Sequence, residues 1–428
     1  MSITDYAAAD VFDNLTSDDI VDAWVPHALH DLSDAELIAA VADLVAIPHR
    51  EAASSFELHA PLELMARARL LPLVHPDERR RARQRLAWVG LTYREAGTPV
   101  RPTSRWTGLQ VTDLAAAVSA GDLDGVDAAW AQVWPMTSVD DLSRALADII
   151  TPHLGAAAHG AIALHHLDHL GAMPRSLVAT LGSTLHELAR HPDWKLSWFE
   201  HRSSEISAVT PGELTSRLRT PPSPGDSGSP FIFPTMSLTE RSGLASSLLE
   251  APTRTISVND ARVELLRTAA HSMLQDDPAH APYGWTHCLT MPQATLSLAR
   301  WCNDPQTAVA VAATYVLGFR STLGCEDVDV AWSPERSDMS VADLTTCDPA
   351  TAAAVAWHAA AQERDRLIGA MATAAAIHPD AHLAKYTLAC IEAAAADPAA
   401  AALFLAAAAY LLAWWRQQPV EADPLGSW

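Results

Sequence analysis

The stretch from 382 to 415, HLAKYTLACIEAAAADPAAAALFLAAAAYLLAWW, limits how this chain can fold more than any other. Alanine and large apolar residues fill it, and its only charged side chains are Lys385, Glu392 and Asp397. Alanine is the strongest helix former, and a helix that is apolar on all sides belongs in a protein interior. Asp397 followed by Pro398 reads as an N-cap and a first helical residue, so a new helix is predicted there. The segment therefore predicts two buried helices.

The rest of the 428 residues extends this helical pattern. Apolar positions mostly recur at spacings of three and four, and strong β signatures are few, which predicts an all-α fold. We expect one large, bundle-like domain over residues 1–428. The exception is 210–234, TPGELTSRLRTPPSPGDSGSPFIFP, where proline, glycine and serine crowd together. This composition predicts a loop or a lid within the domain.

The charge balance limits the partners of the protein. The formal net charge is −22, and nucleic acids and anionic membranes bind cationic surfaces, so neither is expected as a partner. The segment 399–415 is just long enough to span a membrane, but its alanine content and its N-cap favour a buried helix. The five cysteines are dispersed without a CxxC pair, and the first residues lack the pattern of a signal peptide. A cytoplasmic location is predicted.

Histidines supply the most informative polar pattern. The chain has nineteen, and the densest group is HGAIALHHLDHLG at 159–171. His165 and His169 are four residues apart on a predicted helix, which is the spacing of two metal ligands. This spacing alone decides little, because the motif has no glutamate at the position of a general base.

Four histidines stand in apolar or small-residue settings near the starts of predicted helices: His59, His159, His287 and His382. Each one alone is typical of a hydrogen-bonded core histidine. Together they are distributed over four segments that a helical bundle can bring together, and metal sites in bundles are built from facing helices. Both interpretations remain open at this point.

Lys385 lies three residues after His382, on the same side of a predicted helix. Burial disfavours the ammonium form of lysine, and a neutral amine can react with CO₂ to give a carbamate, an anionic oxygen ligand for a metal. Two alternatives stand beside this one. The side chain could cross an apolar edge to reach water, or it could pair with Glu392 two turns further along the helix.

Four short motifs in chain order resemble the questin oxidase-like family of secondary metabolism, especially its non-haem iron oxygenases that cleave anthraquinone rings. The resemblance covers about residues 55 to 415. Its motifs are Leu58-His59-Ala60-Pro61-Leu62, Ala158-His159-Gly160-Ala161-Ile162, His287-Cys288-Leu289-Thr290 and His382-Leu383-Ala384-Lys385.

The resemblance implies a metal centre whose ligands are His59, His159, His287, His382 and Lys385 as its CO₂-derived carbamate. Fe(II) is the metal that the family implies, and imidazole ligands also suit copper or zinc. The implied partners are O₂ and a small aromatic substrate. The implied reaction is oxidative cleavage of a C–C bond in a polycyclic aromatic or polyketide-type metabolite, by dioxygenation or by a Baeyer–Villiger-type insertion with an external reductant.

Three side chains are weaker candidates for proton transfer near such a centre: His165, His166 and Glu200. Two other functions also remain open from the sequence. One is a zinc hydrolase with the same ligands, since zinc has no redox chemistry. The other is a non-catalytic helical module that binds a hydrophobic ligand or a partner protein, with the histidines in structural roles.

Overall fold

The computed structural model describes residues 15–22, 31–100, 106–201, 210–220, 222–224 and 231–418, together with the single residues 12, 29, 423 and 425. Helices make up the regular structure of these residues, which contain no strand. The only extended pairing there is an isolated bridge between His49 and Pro99. The prediction of an all-α fold is confirmed.

The described residues form two compact units, and neither unit is one continuous piece of chain. Unit 1 contains the described residues up to Trp194, the segment 376–384 and the described residues after 420. Nine helices lie wholly in it: α1 Ser17–Asp22, α2 Asp34–Val45, α3 Ser55–Leu70, α4 Arg79–Ala96, α5 Val111–Ala120, α6 Leu123–Val133, α7 Val139–Ile150, α8 His159–Asp168 and α9 Leu181–Ala189.

Unit 2 contains the described residues of 195–375 and 385–420. Eight helices lie wholly in it: α10 Pro211–Arg219, α11 Ile232–Arg241, α12 Leu244–Thr255, α13 Val258–Gln275, α14 Thr286–Leu298, α15 Pro305–Leu323, α16 Pro349–His358 and α19 Ala401–Gln417. The chain passes from one unit to the other within two further helices, α17 Arg364–Ile377 and α18 Ala381–Ala396.

Two helices of unit 1 begin with reciprocal caps that the sequence signals. At the start of α2, Ser33 accepts a hydrogen bond from the N–H of Glu36, and the Glu36 carboxylate accepts from the N–H of Ser33. Ser54 and Glu57 repeat the arrangement at the start of α3. Each cap satisfies backbone N–H groups that have no partner inside the helix, which fixes where the helix begins.

A buried ion pair on α3 holds a distant part of the chain. Arg67 contacts the Glu63 carboxylate one turn earlier, with Nε at 2.8 Å, and both side chains are almost fully buried. The same guanidinium donates to the carbonyl oxygens of Ala376 and His378, at 2.7 and 2.6 Å. Since buried carbonyl groups need donors, these bonds fix the segment that leads into α18 against α3.

The prediction that 210–234 forms a loop or a lid is wrong for its first part. Residues 211–219 form α10, and α11 begins at Ile232; residues 221 and 225–230 lie outside the described residues. Pro211 suits the first position of a helix, and Leu214 and Leu218 bury one face of it. The proline and glycine content of the segment predicted a loop, and the short apolar stripe of Leu214 and Leu218 was not recognised in the sequence.

The apolar C-terminal helix lies in the core of unit 2. Pro398–Gln417 is, among the described residues, long and apolar enough to cross a membrane, and 67% of its apolar window is buried inside the protein. Its α19 part packs on α16 and α13. Neighbouring helices therefore cover the apolar surface that a membrane would otherwise cover.

Candidate metal centre

The ring of His59 contacts the rings of two other predicted ligand histidines inside unit 1. Its centroid lies 4.6 Å from that of His159 and 4.5 Å from that of His382. The ring planes are inclined by 68° and 61°, so the contacts are edge to face rather than stacked. All three side chains are buried, and ligand nitrogens of His59 and His159 lie within 4.8 Å of each other.

His59 lies in the second turn of α3. Its Nδ1 is 2.5 Å from the carbonyl oxygen of Ser55, one turn earlier in the same helix. A carbonyl only accepts, so Nδ1 carries the proton and donates it, and the lone pair of the ring is on Nε2. The helix itself therefore sets both the direction and the tautomer of this imidazole.

His159 follows an unusual turn. Ala156, Ala157 and Ala158 all adopt left-handed backbone conformations, with φ of 49°, 51° and 56°, and α8 begins at the next residue. Side chains with a Cβ rarely adopt this conformation, and such strain concentrates at functional sites. Gly160 lets α8 approach α7 closely, because a Cβ there would lie 2.9 Å from a methyl of Ile150.

The ring of His159 is oriented from α3. Its Nδ1 lies 3.2 Å from the carbonyl oxygen of Leu58, the residue before His59. As at His59, a carbonyl at Nδ1 requires the proton on that nitrogen and leaves the lone pair on Nε2. Adjacent residues of α3 thus provide one ring of the centre and the acceptor that orients another.

His382 lies in the first turn of α18 and is held by Asp380. One carboxylate oxygen of Asp380 accepts from the N–H of His382 at 2.7 Å, from the N–H of Leu383 at 3.3 Å, and lies 3.2 Å from Nδ1 of the His382 ring. The carboxylate caps the helix and fixes the imidazole with the same oxygen. A carboxylate that binds Nδ1 of a histidine also increases the basicity of Nε2 as a ligand.

The next histidine towards the N-terminus is neutral. Burial lowers the pKa of His378 to about 3. Its Nδ1 accepts a hydrogen bond from the N–H of Asp380 at 3.0 Å, and its carbonyl accepts from Arg67. His378 therefore holds the backbone around Asp380 in place without adding a positive charge next to the centre.

The rings of His59 and His159 are close enough to share one transition-metal ion, because their ligand nitrogens lie within 4.8 Å of each other. An imidazole bound through Nε2 at about 2.1 Å has its ring centre about 3.2 Å from the ion, and two such rings at a right angle lie about 4.5 Å apart. The separations of 4.6 and 4.5 Å around His59 match this spacing. Each Nδ1 lies at an acceptor, which is the outer-shell arrangement of metal-binding histidines.

His287, the fourth predicted histidine, belongs to unit 2 and is the second residue of α14. A single π-helical turn, Ala281–Trp285, leads directly into that helix. Such turns are rare and frequent at functional sites. The His287 ring is buried and stacks on Phe319, with centroids 6.2 Å apart and an angle of 20° between the planes.

Lys385 is buried, with 2% of its surface exposed, and its Nζ has no contact with solvent. This rules out the alternative in which the side chain crosses an apolar edge to reach water. Lys385 and His382 are one turn apart on α18, where the chain passes from unit 1 to unit 2. Its placement in an alanine-rich, buried helix agrees with the environment that the sequence predicted.

The candidates for proton transfer are placed as follows. His165 and His166 are buried in the last turn of α8, and His166 is seven residues after His159, about 10 Å along the helix axis. Nδ1 of His166 lies 3.3 Å from the Arg69 guanidinium. Glu200 belongs to unit 2, in the short helix Trp198–His201, and is exposed.

The pair His165 and His169 has a spacing suited to a metal, with ring centroids 4.6 Å apart. Nδ1 of His169 lies 2.8 Å from the carbonyl oxygen of His165. Within the described ranges, no third histidine, cysteine or carboxylate completes a metal-binding group with this pair. The four-residue spacing brings the rings of His165 and His169 together, but in the described residues the pair does not form a metal-binding group.

Sequence reasoning missed the groups that orient the rings. Asp380 lies two residues before His382, directly after a proline and before an alanine-rich helix, which is a recognisable N-cap signal. Glu63 and Arg67, four and eight residues after His59, lie on the same face of α3 and hold the segment that carries Asp380.

Comparisons of the chain with protein-family models, with curated proteins and with solved structures return no match.

Proposed function

We propose that this protein is a non-haem iron-dependent oxygenase that cleaves a C–C bond of a polycyclic aromatic or polyketide-type metabolite with O₂. The observation that carries the proposal is the contact of three buried imidazoles in unit 1, each with Nδ1 at an acceptor. Buried imidazoles with Nδ1 at an acceptor are suited to bind a transition metal through Nε2, and imidazole is a suitable ligand for iron. The type of reaction is the one that the resemblance to the questin oxidase-like family implies.

The proposal includes the full ligand set predicted from the sequence: His59, His159, His287, His382 and carboxylated Lys385. CO₂ adds to the neutral Nζ of Lys385 with the loss of one proton, which gives a carbamate with one negative charge. Burial of Lys385 supports the step, because the neutral amine is the reactive form. When bound, Fe(II) would supply the activation of O₂, and the bound form would carry one net positive charge.

The residues of the chain have separate tasks in this proposal. The carbonyl groups of Ser55 and Leu58 and the carboxylate of Asp380 hold the imidazoles in the orientation that a metal requires. Burial excludes water from the imidazoles. His165 and His166 remain candidates for proton transfer, and so does the exposed Glu200.

Metal content tests the proposal directly. Protein purified without a histidine tag is expected to contain about one iron per chain by plasma mass spectrometry, and His59→Ala to lose it. His75→Ala is the matched control, because that side chain is 65% exposed, and it should keep the metal. Circular dichroism of each variant separates loss of the metal from loss of the fold.

The reaction is tested with the same preparations. Iron-loaded protein should consume O₂ with a polycyclic phenol such as 1,8-dihydroxyanthraquinone, and with ¹⁸O₂ the cleaved product should gain two labelled atoms for a dioxygenase or one for a monooxygenase. Bound zinc without O₂ consumption would favour the hydrolase. A folded protein without metal, or His59→Ala with unchanged metal, would favour the non-catalytic module.

A further inference from the structure

A cleft of about 430 Å³ lies entirely within unit 2, and none of the residues proposed to bind metal lines it. One wall is formed by α10 and α13, and the other includes the start of α19 and the side chain of Trp357. This volume is in the range of small-molecule sites, which combine an apolar wall with a few placed polar groups. The cleft has both kinds of surface.

His271 supplies a hydrogen-bond donor to the cleft. His271 is buried, with 4% of its surface exposed, and its Nδ1 lies 3.0 Å from the amide nitrogen of Gln275. That amide is oriented by Asp329, which bonds both of its ends through the backbone at 2.9 Å. The amide nitrogen therefore donates to Nδ1, and the proton of the neutral ring is on Nε2.

The imidazole is neutral near pH 7, because burial lowers the pKa of His271 to about 4. A neutral ring in this tautomer can donate from Nε2 and cannot accept there. Within the described part of the chain, that nitrogen has no protein acceptor, and the ring lines the cleft. A ligand that uses this donor must present an acceptor oxygen.

The two arginines that line the cleft differ in how they are paired. Arg267 binds Asp397 with two parallel hydrogen bonds of 2.7 and 2.9 Å, so its charge is neutralised. Arg219 uses only Nε, which donates to the carbonyl oxygen of Val328 at 2.6 Å. Among the described residues, no carboxylate pairs with Arg219, and its terminal nitrogens can bind a carboxylate in a fork.

The other residues that line the cleft determine which ring and which hydroxyl group of a ligand can bind there. Trp357 is held edge to face by Trp332, with centroids 6.0 Å apart, and with Leu403 it forms the apolar wall. The Glu264 carboxylate, which accepts from the hydroxyl of Thr215, also faces the cleft and can accept a hydrogen bond from a ligand hydroxyl. An indole wall favours a flat aromatic ring.

We infer that this cleft binds an aromatic hydroxy acid, with the carboxylate at Arg219 and His271 and the ring against Trp357. The hydroxyl group would donate to Glu264. This ligand site is independent of the proposed metal centre, since none of its residues belongs to that centre. Its binding is therefore expected to persist when the metal has been removed.

The experiment uses the full chain treated with EDTA and 6-hydroxy-2-naphthoate as the probe, by isothermal titration calorimetry. One probe molecule should bind per chain, and 2-naphthol, which lacks the carboxylate, should bind at least tenfold more weakly. Arg219→Gln should weaken probe binding by about tenfold or more. Arg217→Gln is the matched control on the same helix, because Arg217 pairs with Glu213 and does not line the cleft.

Arg219→Lys keeps the charge and separates a local rearrangement at Val328 from the loss of the cation. It should bind the probe more tightly than Arg219→Gln. Absence of probe binding to the wild-type chain would overturn the inference. Equal affinities for 6-hydroxy-2-naphthoate and 2-naphthol, or an unchanged affinity in Arg219→Gln, would overturn it as well.

Because the metal has been removed in every arm, these results do not depend on the proposed oxygenase function. A protein that binds no metal can still bind 6-hydroxy-2-naphthoate, and a protein that does not bind this probe can still bind iron. The two proposals can therefore be rejected separately.

Discussion

At the scale of single residues, the buried histidines differ in the group that contacts their Nδ1 atom. Nδ1 of His153 and of His378 accepts from a backbone N–H two residues on, at 2.9 and 3.0 Å. In the three histidines of the candidate centre, Nδ1 instead lies at an oxygen that can only accept. The first arrangement stabilises a turn, and the second places the proton on Nδ1 and leaves the lone pair on Nε2.

A buried neutral histidine makes stability depend on pH. Burial lowers the pKa of His271 from 6.5 to about 4, so below pH 6.5 the unfolded chain binds a proton that the folded chain does not. Its contribution to stability is complete above pH 6.5 and is lost as the pH falls towards 4. We expect His271→Gln to reduce the slope of the unfolding free energy with pH by about 1 kcal/mol per pH unit between pH 6 and 4.5.

Urea unfolding of the wild type and of His271→Gln, followed by circular dichroism at several pH values, measures this difference. His75→Gln is the control, because that imidazole is on the surface. Parallel stability curves for the wild type and His271→Gln would show that this ring accepts a proton in the folded protein.

At the scale of elements, the left-handed turn before α8 decides where His159 lies. Three consecutive alanines there have positive φ, although alanine prefers a right-handed helix by about 1 kcal/mol or more per residue. The sequence GAAAHGAIAL reads as one helix through this turn, so local propensity misplaces its start. Packing of α8 on its neighbours has overridden the propensity.

Glycine at the middle of this turn should stabilise the protein. Ala157→Gly removes the Cβ strain and loses little buried surface, because Ala157 is only partly buried. We expect an increase of about 0.5–1 kcal/mol in the free energy of unfolding, after the greater freedom of glycine in the unfolded chain is subtracted. Thermal and urea unfolding measure this change.

Ala161→Gly provides a control of opposite sign within the same element. Ala161 is a helical residue of α8, so glycine there should destabilise the protein by about 1 kcal/mol. Destabilisation by both substitutions would contradict a strained turn at Ala157.

At the scale of the whole molecule, buried arginines link segments that are far apart in sequence. Arg67 binds the carbonyl oxygens of residues 309 and 311 positions later, and Arg85 on α4 binds the carbonyl oxygen of Ile377 at 2.9 Å. Both hold the short segment of unit 1 that brings His382 to His59. Charged groups at the centre of the unit thus position the apolar helix α18.

Removal of one partner of the buried pair should destabilise unit 1 strongly. Arg67→Met leaves the Glu63 carboxylate buried and removes two donors to backbone carbonyls, so we expect a loss of about 3–5 kcal/mol. The free energy of unfolding in urea gives the value. Metal content should fall with it, because His382 loses its anchor.

The double variant Glu63→Leu/Arg67→Met removes the unpaired charge and should recover part of the loss. Arg81→Met, at a pair with the half-exposed Glu78, is the surface control and should change stability by less than about 1 kcal/mol. A loss in Arg67→Met no larger than in Arg81→Met would show that the buried pair does not anchor the segment.

The amino-acid sequence by itself determined the all-α class, because helix periodicity is local, but it left open whether Lys385 is buried or reaches water. It also grouped His59, His159, His287 and His382 with Lys385 as candidate ligands, and this ligand set and the oxygenase function are proposals. Only the tertiary structure decided that the His59 ring meets those of His159 and His382 in unit 1, that no third ligand joins His165 and His169 among the described residues, and that α10 is a helix. Those outcomes depend on contacts between residues tens to hundreds of positions apart, which no local pattern specifies.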